Sequence, residues 1–238
     1  MGIAPGRDWG EETTDSPDLV VVGGDASLAA ALSGVWSGHR GAARPAPLVE
    51  LRAVGSGGLA GTLGLPGRDL SAEGVRRALT LDVLLVRLGA ATSGEQRELV
   101  AVSGLEVGAR IGSLAWRHRS RNVRVAVDGR TGLEGHAASL VVMTGELLGD
   151  ADVNPRSHPG DGVAEVFLVD VPRAQRRALR ARLPSGTHVP HPGITRRAGS
   201  HFVVELTASA PIHADGQAAG EAAALDIEVL AGAYRLLV

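Results

Sequence analysis

Several short segments of this chain carry residue types that could do chemistry. Gly23–Ser27 reads Gly-Gly-Asp-Ala-Ser and directly follows the apolar run Leu19–Val22. Glycines let a backbone approach a phosphate closely, and a helix starting there would add N–H donors and a favourable dipole. Asp25 could hold Mg²⁺ on such phosphates or accept a ribose hydroxyl; the same five residues also make an ordinary tight strand–helix turn. Gly55–Gly58 is a second glycine-rich loop, read either as a plain connector or as a second ligand loop at a strand end. Asp161 and Asp215 are candidate working carboxylates, although each precedes a glycine and Asp-Gly is also a hairpin signal. His188 and His191 could pair on a metal, and His158 and His213 lie near Asp161 and Asp215, but none has the fixed spacing of a helix-borne zinc pair. Two arginine clusters remain: Arg117, Arg119, Arg121 and Arg124, and Arg173, Arg176, Arg177, Arg180 and Arg182. On a helix, 173, 176, 177 and 180 share one face, which is either solvated or drawn to anionic lipid headgroups at about 1 kcal/mol per residue.

The elements that must position these residues change character along the chain. Leu19–Val22 suits a buried parallel strand, and Ser27 is placed to cap a helix over Leu28–Val35. Leu48–Val54 reads as a strand, Leu59–Leu65 as a second short helix ending at Pro66-Gly67, and Ser71 as the cap of a helix running to about Leu79. Leu81–Leu88 is a strand. Beyond Gly89, short strand-like runs recur at Glu98–Val102, Val123–Val127, Ala137–Met143, Val163–Val169 and His201–Leu206. Asp128-Gly129, Asp161-Gly162 and Asp215-Gly216 are read as turns between them, and Arg173–Leu183 as a basic helix. The fold class expected is α/β plus mostly-β: a truncated N-terminal α/β domain over residues 1–84, then an antiparallel β-sandwich over 85–238.

Composition narrows the function. The 238 residues are 44% hydrophobic and 21% charged with net charge −2, which excludes intrinsic disorder. There is no cysteine, so no disulfide framework or thiolate metal site. All 24 basic residues are arginine, and near-neutral charge argues against general nucleic-acid binding. No apolar run spans a bilayer, and Met1–Pro17 has no signal-peptide core, so a soluble, cytoplasmic protein is expected.

Taken in order, the motifs resemble the diacylglycerol kinase family, and within it the bacterial soluble lipid kinases related to sphingosine and ceramide kinases. Gly23–Ser27 stands where that family has Gly-Gly-Asp-Gly-Thr. Leu59–Pro66 is similar to its Phe-Ala-Arg-x-Leu-Gly-Leu-Pro, and Leu81-Asp82 to the Ile-Asp that follows. His158–Glu165 resembles Pro-x-Asp-Asp-Gly-Leu-Leu-Asp, Pro211–Gln217 resembles Pro-x-x-x-Asp-Gly-Glu, and Ile227–Val238 resembles the closing strands. The similarity runs from about residue 18 to residue 238.

The resemblance implies an α/β domain that binds ATP and a β-sandwich that forms the other wall of the cleft. Gly23, Gly24 and Asp25 would face the phosphates and Mg²⁺, with Ala26, Ser27, Gly55, Ser56 and Gly57 beside them. Asp215 would be the general base toward a lipid hydroxyl, and Asp161 with the Val163 carbonyl would correspond to a further Mg²⁺ site. A lipid alcohol is the implied acceptor; transient peripheral membrane contact and a homodimer are compatible with it, and nucleic acid is not a partner. The departures are specific. The family's opening strand and Asn-Pro-x-Ser-Gly segment have no counterpart before Leu19. Ala26 replaces a glycine, which would cost about 1 kcal/mol if the position needed φ > 0. Val54–Gly58 lacks the asparagine and acid of Gly-Thr-Gly-Asn-Asp, and Gln217 replaces a glutamate. This pattern also fits an inactive homologue acting as a lipid-binding or regulatory module. A relative of the NAD kinases, which share the Gly-Gly-Asp turn, is a third reading.

Overall fold

The computed structural model describes residues 11–36, 45–52, 55–65, 76–89 and 96–238. The first part runs β1 (Glu11–Thr13), β2 (Leu19–Val22), α1 (Asp25–Trp36), β3 (Leu48–Arg52), α2 (Gly58–Thr62), β4 (Arg76–Gly89) and β5 (Gln96–Ala101). The second runs β6 (Gly104–Gly108), β7 (Arg121–Val127), β8 (Arg130–Ala137), β9 (Ser139–Met143), β10 (Leu147–Leu148), β11 (Ala151–Asp152), β12 (Ala164–Val169), α3 (Arg176–Arg182), β13 (Ile194–Gly199), β14 (His201–Ala214) and β15 (Gln217–Leu237). Among the described residues thirteen strands share one sheet, and β10 and β11 pair separately. The architecture is mostly antiparallel with few helices. Parallel pairing is confined to β2 on β3 and to β3 on the end of β15, where Leu48 and Val49 meet Arg235 and Leu236.

The apolar run of β4 explains itself by having both faces covered. Leu79, Leu81, Val83 and Leu85 pack with Leu28 and Leu32 of α1 and with Leu59 of α2. Leu84, Val86 and Leu88 enter a second core built from β6, β7, β9, β12, β14 and β15. A strand buried on both sides shows no alternation of apolar and polar residues. Leu84 and Leu85, which flank the expected domain boundary, therefore serve different cores. Alanines dominate the first half of β15, yet Ala222, Ala224 and Leu225 pair with β14, because cross-strand packing overrides weak intrinsic strand preference.

Three local expectations are corrected. Residues 76–79 belong to β4, so the helix expected to reach Leu79 does not; residues 71–75, with its cap Ser71, lie outside the described residues, as do Val54 and the Pro66-Gly67 stop. Ser27 lies inside α1, which starts at Asp25, and the Gly24 carbonyl takes the Ser27 and Leu28 N–H groups (3.0 and 3.1 Å). Of the three Asp-Gly pairs, Asp128-Gly129 and Asp215-Gly216 close hairpins with left-handed φ of 48° and 74°, and of 47° and 78°. Asp161-Gly162 closes none and precedes β12. No helix among the described residues is long and apolar enough to cross a membrane.

Candidate active site

The turn after β2 delivers Asp25 to the first position of α1. Its carboxylate accepts the Leu59 N–H at the start of α2 (3.1 and 3.2 Å to its two oxygens) and the Ser103 hydroxyl (2.5 Å). Gly58, at φ +59°, makes this possible, since a Cβ there would overlap the Asp25 carboxylate. Burial pushes the Asp25 carboxyl above its ordinary value, against the hydrogen bonds from Ser103 and Leu59.

Asp215 reaches the same place from the β14–β15 hairpin. Its Oδ1 accepts the N–H groups of Ser103 (2.8 Å) and Gly104 (3.1 Å), and its Oδ2 that of Val102 (2.9 Å). Burial pushes Asp215 up to about 7, the Asp25 charge adds to this, and the three backbone donors oppose it. Ser103 thus joins the two carboxylates: its hydroxyl donates to one and its N–H to the other. Oδ2 of Asp215 accepts one of these bonds and retains a second lone-pair direction.

These groups border a cavity of about 400 Å³, within the range of small-molecule sites. Gly24, Asp25, Ala26, Ser27, Gly55, Gly57 and Asp215, all singled out in the sequence, line it. Gly23 and Ser56 do not. At φ +128°, Gly23 has no room for a Cβ beside Ser27, so it serves the close strand–helix approach. Ala26 is not among the residues with positive φ, so the strain anticipated for it does not arise.

Sequence reasoning missed Ser103 and Arg110. Arg110 is the one cation lining the cavity among the described residues. Glu106 holds its Nε at 3.3 Å, and Glu106 is itself fixed by the Ile111 N–H at 2.7 Å. Burial raises the Glu106 carboxyl, while that N–H and Arg110 lower it. Neither residue sits in a motif: Ser103 acts through contacts distant in sequence, and Arg110 through a buried glutamate one helical turn's spacing away. A larger cleft, of about 920 Å³ near Pro155 and His191, has no carboxylate in its wall.

The metal residues expected in the sequence do not converge. Asp161 Oδ1 accepts the Val163 N–H (3.0 Å), and neither residue lines the cavity that Asp25 does. Among the described residues no three His, Asp or Glu side chains gather as a group. Buried Asp82 instead fixes this loop, accepting the N–H groups of Gly162 (2.7 Å) and Gly232 (2.8 Å). His191 Nδ1 accepts the Gly193 N–H, and His188 is fully buried.

Tyr234 lies fully buried, and its hydroxyl has no partner among the described residues. Burial and the fields of Asp25, Asp215 and Asp82 raise its ionisation well above the ordinary value. Tyr234→Phe removes an unpaired polar group and is expected to stabilise the protein by about 1 kcal/mol in denaturant titration. A loss of stability would instead reveal a water-mediated bond.

The fold is that of the diacylglycerol and NAD kinases. A diacylglycerol kinase structure from Bacillus anthracis str. Sterne superposes with TM-score 0.65 at 19% identity, covering 92% of this chain and 75% of that one. A further chain from that organism, named as a candidate diacylglycerol kinase, gives 0.69 at 17%, covering 92% and 77%. Yeast NADH kinase complexed with NADH gives 0.52 at 12%, covering 92% and 60%. Residues 108–238, more than half of the chain, match the YegS C-terminal NAD kinase beta sandwich-like domain, and the chain belongs to that family. No curated protein matches it.

Proposed function

We propose that the chain transfers the γ-phosphoryl group of Mg-ATP to the hydroxyl of diacylglycerol or a related lipid alcohol. The observation that carries this reading is the convergence, on one cavity, of the α1 N-terminus, Arg110 and a carboxylate pushed up to about 7. With the Ser27 and Leu28 N–H groups taken by the Gly24 carbonyl, the N-terminal end of α1 offers a phosphate its positive dipole, and Arg110 supplies the positive charge. A carboxylate that titrates near neutrality suits a general base. As the acceptor oxygen bonds to the γ-phosphorus, Asp215 Oδ2 would take the hydroxyl proton and the bond to the bridging oxygen would break, releasing ADP. Asp25 would be the cavity's carboxylate toward the Mg²⁺ that accompanies the nucleotide. When bound, that ion neutralises phosphate charge. The kinase-fold neighbours, one of them complexed with NADH, support this reading.

Asp25 ties α1 to α2, so its removal would disturb the site's structure along with any ligand contact. Arg110→Gln is the cleaner probe. Calorimetry should give Mg-ATP binding weakened about thirtyfold in this variant with unfolding temperature unchanged, as expected for a lost charge-assisted contact. Equal affinity in both proteins would remove the phosphates from this cavity.

A second reading, an inactive homologue, is favoured by one observation: three backbone donors already engage Asp215, as they would in a purely structural hairpin clamp. Absence of Mg-ATP binding at millimolar nucleotide would support it.

A further inference from the structure

We infer that the Trp116 turn and the arginines packed around it form a docking surface for an anionic lipid bilayer. Trp116 is 72% exposed, the most exposed large hydrophobic side chain among the described residues. It sits at the tip of a tight turn in which the His118 N–H donates to the Ala115 carbonyl (3.2 Å) and the Ala115 N–H donates to His118 Nδ1 (2.9 Å). Arg117 and Arg119 are exposed beside it.

The turn is fixed against α3. Arg176, expected on an exposed face that is either solvated or drawn to lipid headgroups, is buried: its guanidinium donates to the carbonyls of Ala115 (3.0 Å), His118 (2.6 Å) and Val171 (3.0 Å) and to the Ser120 hydroxyl (3.3 Å). Arg180 Nη1 reaches the Leu114 carbonyl (3.4 Å). With Arg176 consumed as a staple, Arg173, Arg177 and Arg180 are left on the surface of the segment that Arg176 and Arg180 bind to the Trp116 turn.

Charge selects the occupant. Residues 111–127 and 171–190 contain nine arginines and no aspartate or glutamate, on a chain whose net charge is −2; Arg176 is buried and Arg124 is paired with Glu134 (3.5 Å), which leaves seven. Asp170 is the acid that faces Arg176 from the end of β12. Attraction is therefore local and orients the protein. An exposed indole amid guanidinium groups matches the headgroup layer, where Trp settles at the apolar boundary and arginine meets phosphate. A nucleic-acid duplex would use the charge but, with its bases stacked inside, gives an isolated Trp no comparable apolar layer. Trp116 follows the cavity residue Arg110 by six positions, with the turn Ile111–Ser113 between them. The inference does not depend on the chemistry assigned to that cavity.

Sedimentation with phosphatidylcholine vesicles containing about 30 mol% phosphatidylglycerol tests it, without nucleotide. Binding should require the anionic lipid and weaken as salt rises. Trp116→Ala should weaken it about tenfold and the double variant Arg117→Gln/Arg177→Gln about twenty-five-fold, at about fivefold per arginine. Both variants keep the buried staple, so their unfolding temperatures should match that of the parent chain. Equal binding to pure phosphatidylcholine, or no loss in Trp116→Ala, overturns the proposal. So does tighter binding to a mixed-sequence DNA duplex that is lost only with the arginines.

Discussion

Asp215→Asn is expected to lower phosphoryl transfer about a thousandfold while leaving Mg-ATP binding within a fewfold of the parent value. In the parent, turnover should rise as pH passes through about 7, where the Asp215 carboxyl ionises. Stability should move the other way. The folded value lies above the ordinary 3.8, so the folded state holds the proton more tightly than the unfolded chain does. The stabilisation is complete below about pH 4 and is lost as pH climbs through about 7. In Asp215→Asn that decline becomes shallower; the raised carboxyls of Asp25, Asp82 and Glu106 keep part of it. Turnover retained in the variant, measured by ADP release, would remove Asp215 as the base. Loss of nucleotide binding together with the fold would assign it to the hairpin clamp instead.

Arg176→Met carries the largest expected cost in stability. The guanidinium satisfies three carbonyls and one hydroxyl, and methionine fills the space while leaving them unpaired. At about 1 kcal/mol or more for each orphaned carbonyl, the loss is about 3 kcal/mol, or about 10 °C in unfolding temperature for a chain of this length. Arg176→Lys should recover less than half of it, because an ammonium cannot reproduce the planar fork. Calorimetric unfolding measures both. A shift of only a degree or two in Arg176→Met would mean that water replaces the guanidinium and that the turn needs no staple.

What the sequence revealed depended on how local the signal was. The run Leu19–Val22 ending at Gly23, the doubly buried Leu81–Leu88, and the left-handed turns at Asp128 and Asp215 are dictated by neighbours within a few residues. So were the glycines and Asp25 at the head of α1, and the five-motif resemblance placed the chain in the right family. Ser103 and Arg110 escaped because each stands alone in its segment, and its partner arrives from more than a hundred residues away or from a buried glutamate. Arg176 was hidden for the opposite reason: helical spacing put it in line with exposed arginines, and only tertiary packing distinguished it. At Asp161-Gly162 a strong turn dipeptide served a loop clamped from afar by Asp82, where pairing of flanking strands was expected. The residues after Ser71 read as helical, yet 76–79 lie in β4, where Ala78 and Leu79 pair with β15 residues about 160 positions further on.

The length and position of β15 set the order in which this protein can be made. Its 21 residues pair with β14 and with β4, and close to its end with β3, near the start of the chain. As the chain emerges from the ribosome, β3 and β4 appear early and wait for this partner until residues 217–237 are synthesised. Contacts so far apart in sequence slow folding and leave apolar strand surface uncovered meanwhile. The nascent chain should thus depend on chaperone shielding until translation nears Leu237, and then both cores should close as one cooperative unit.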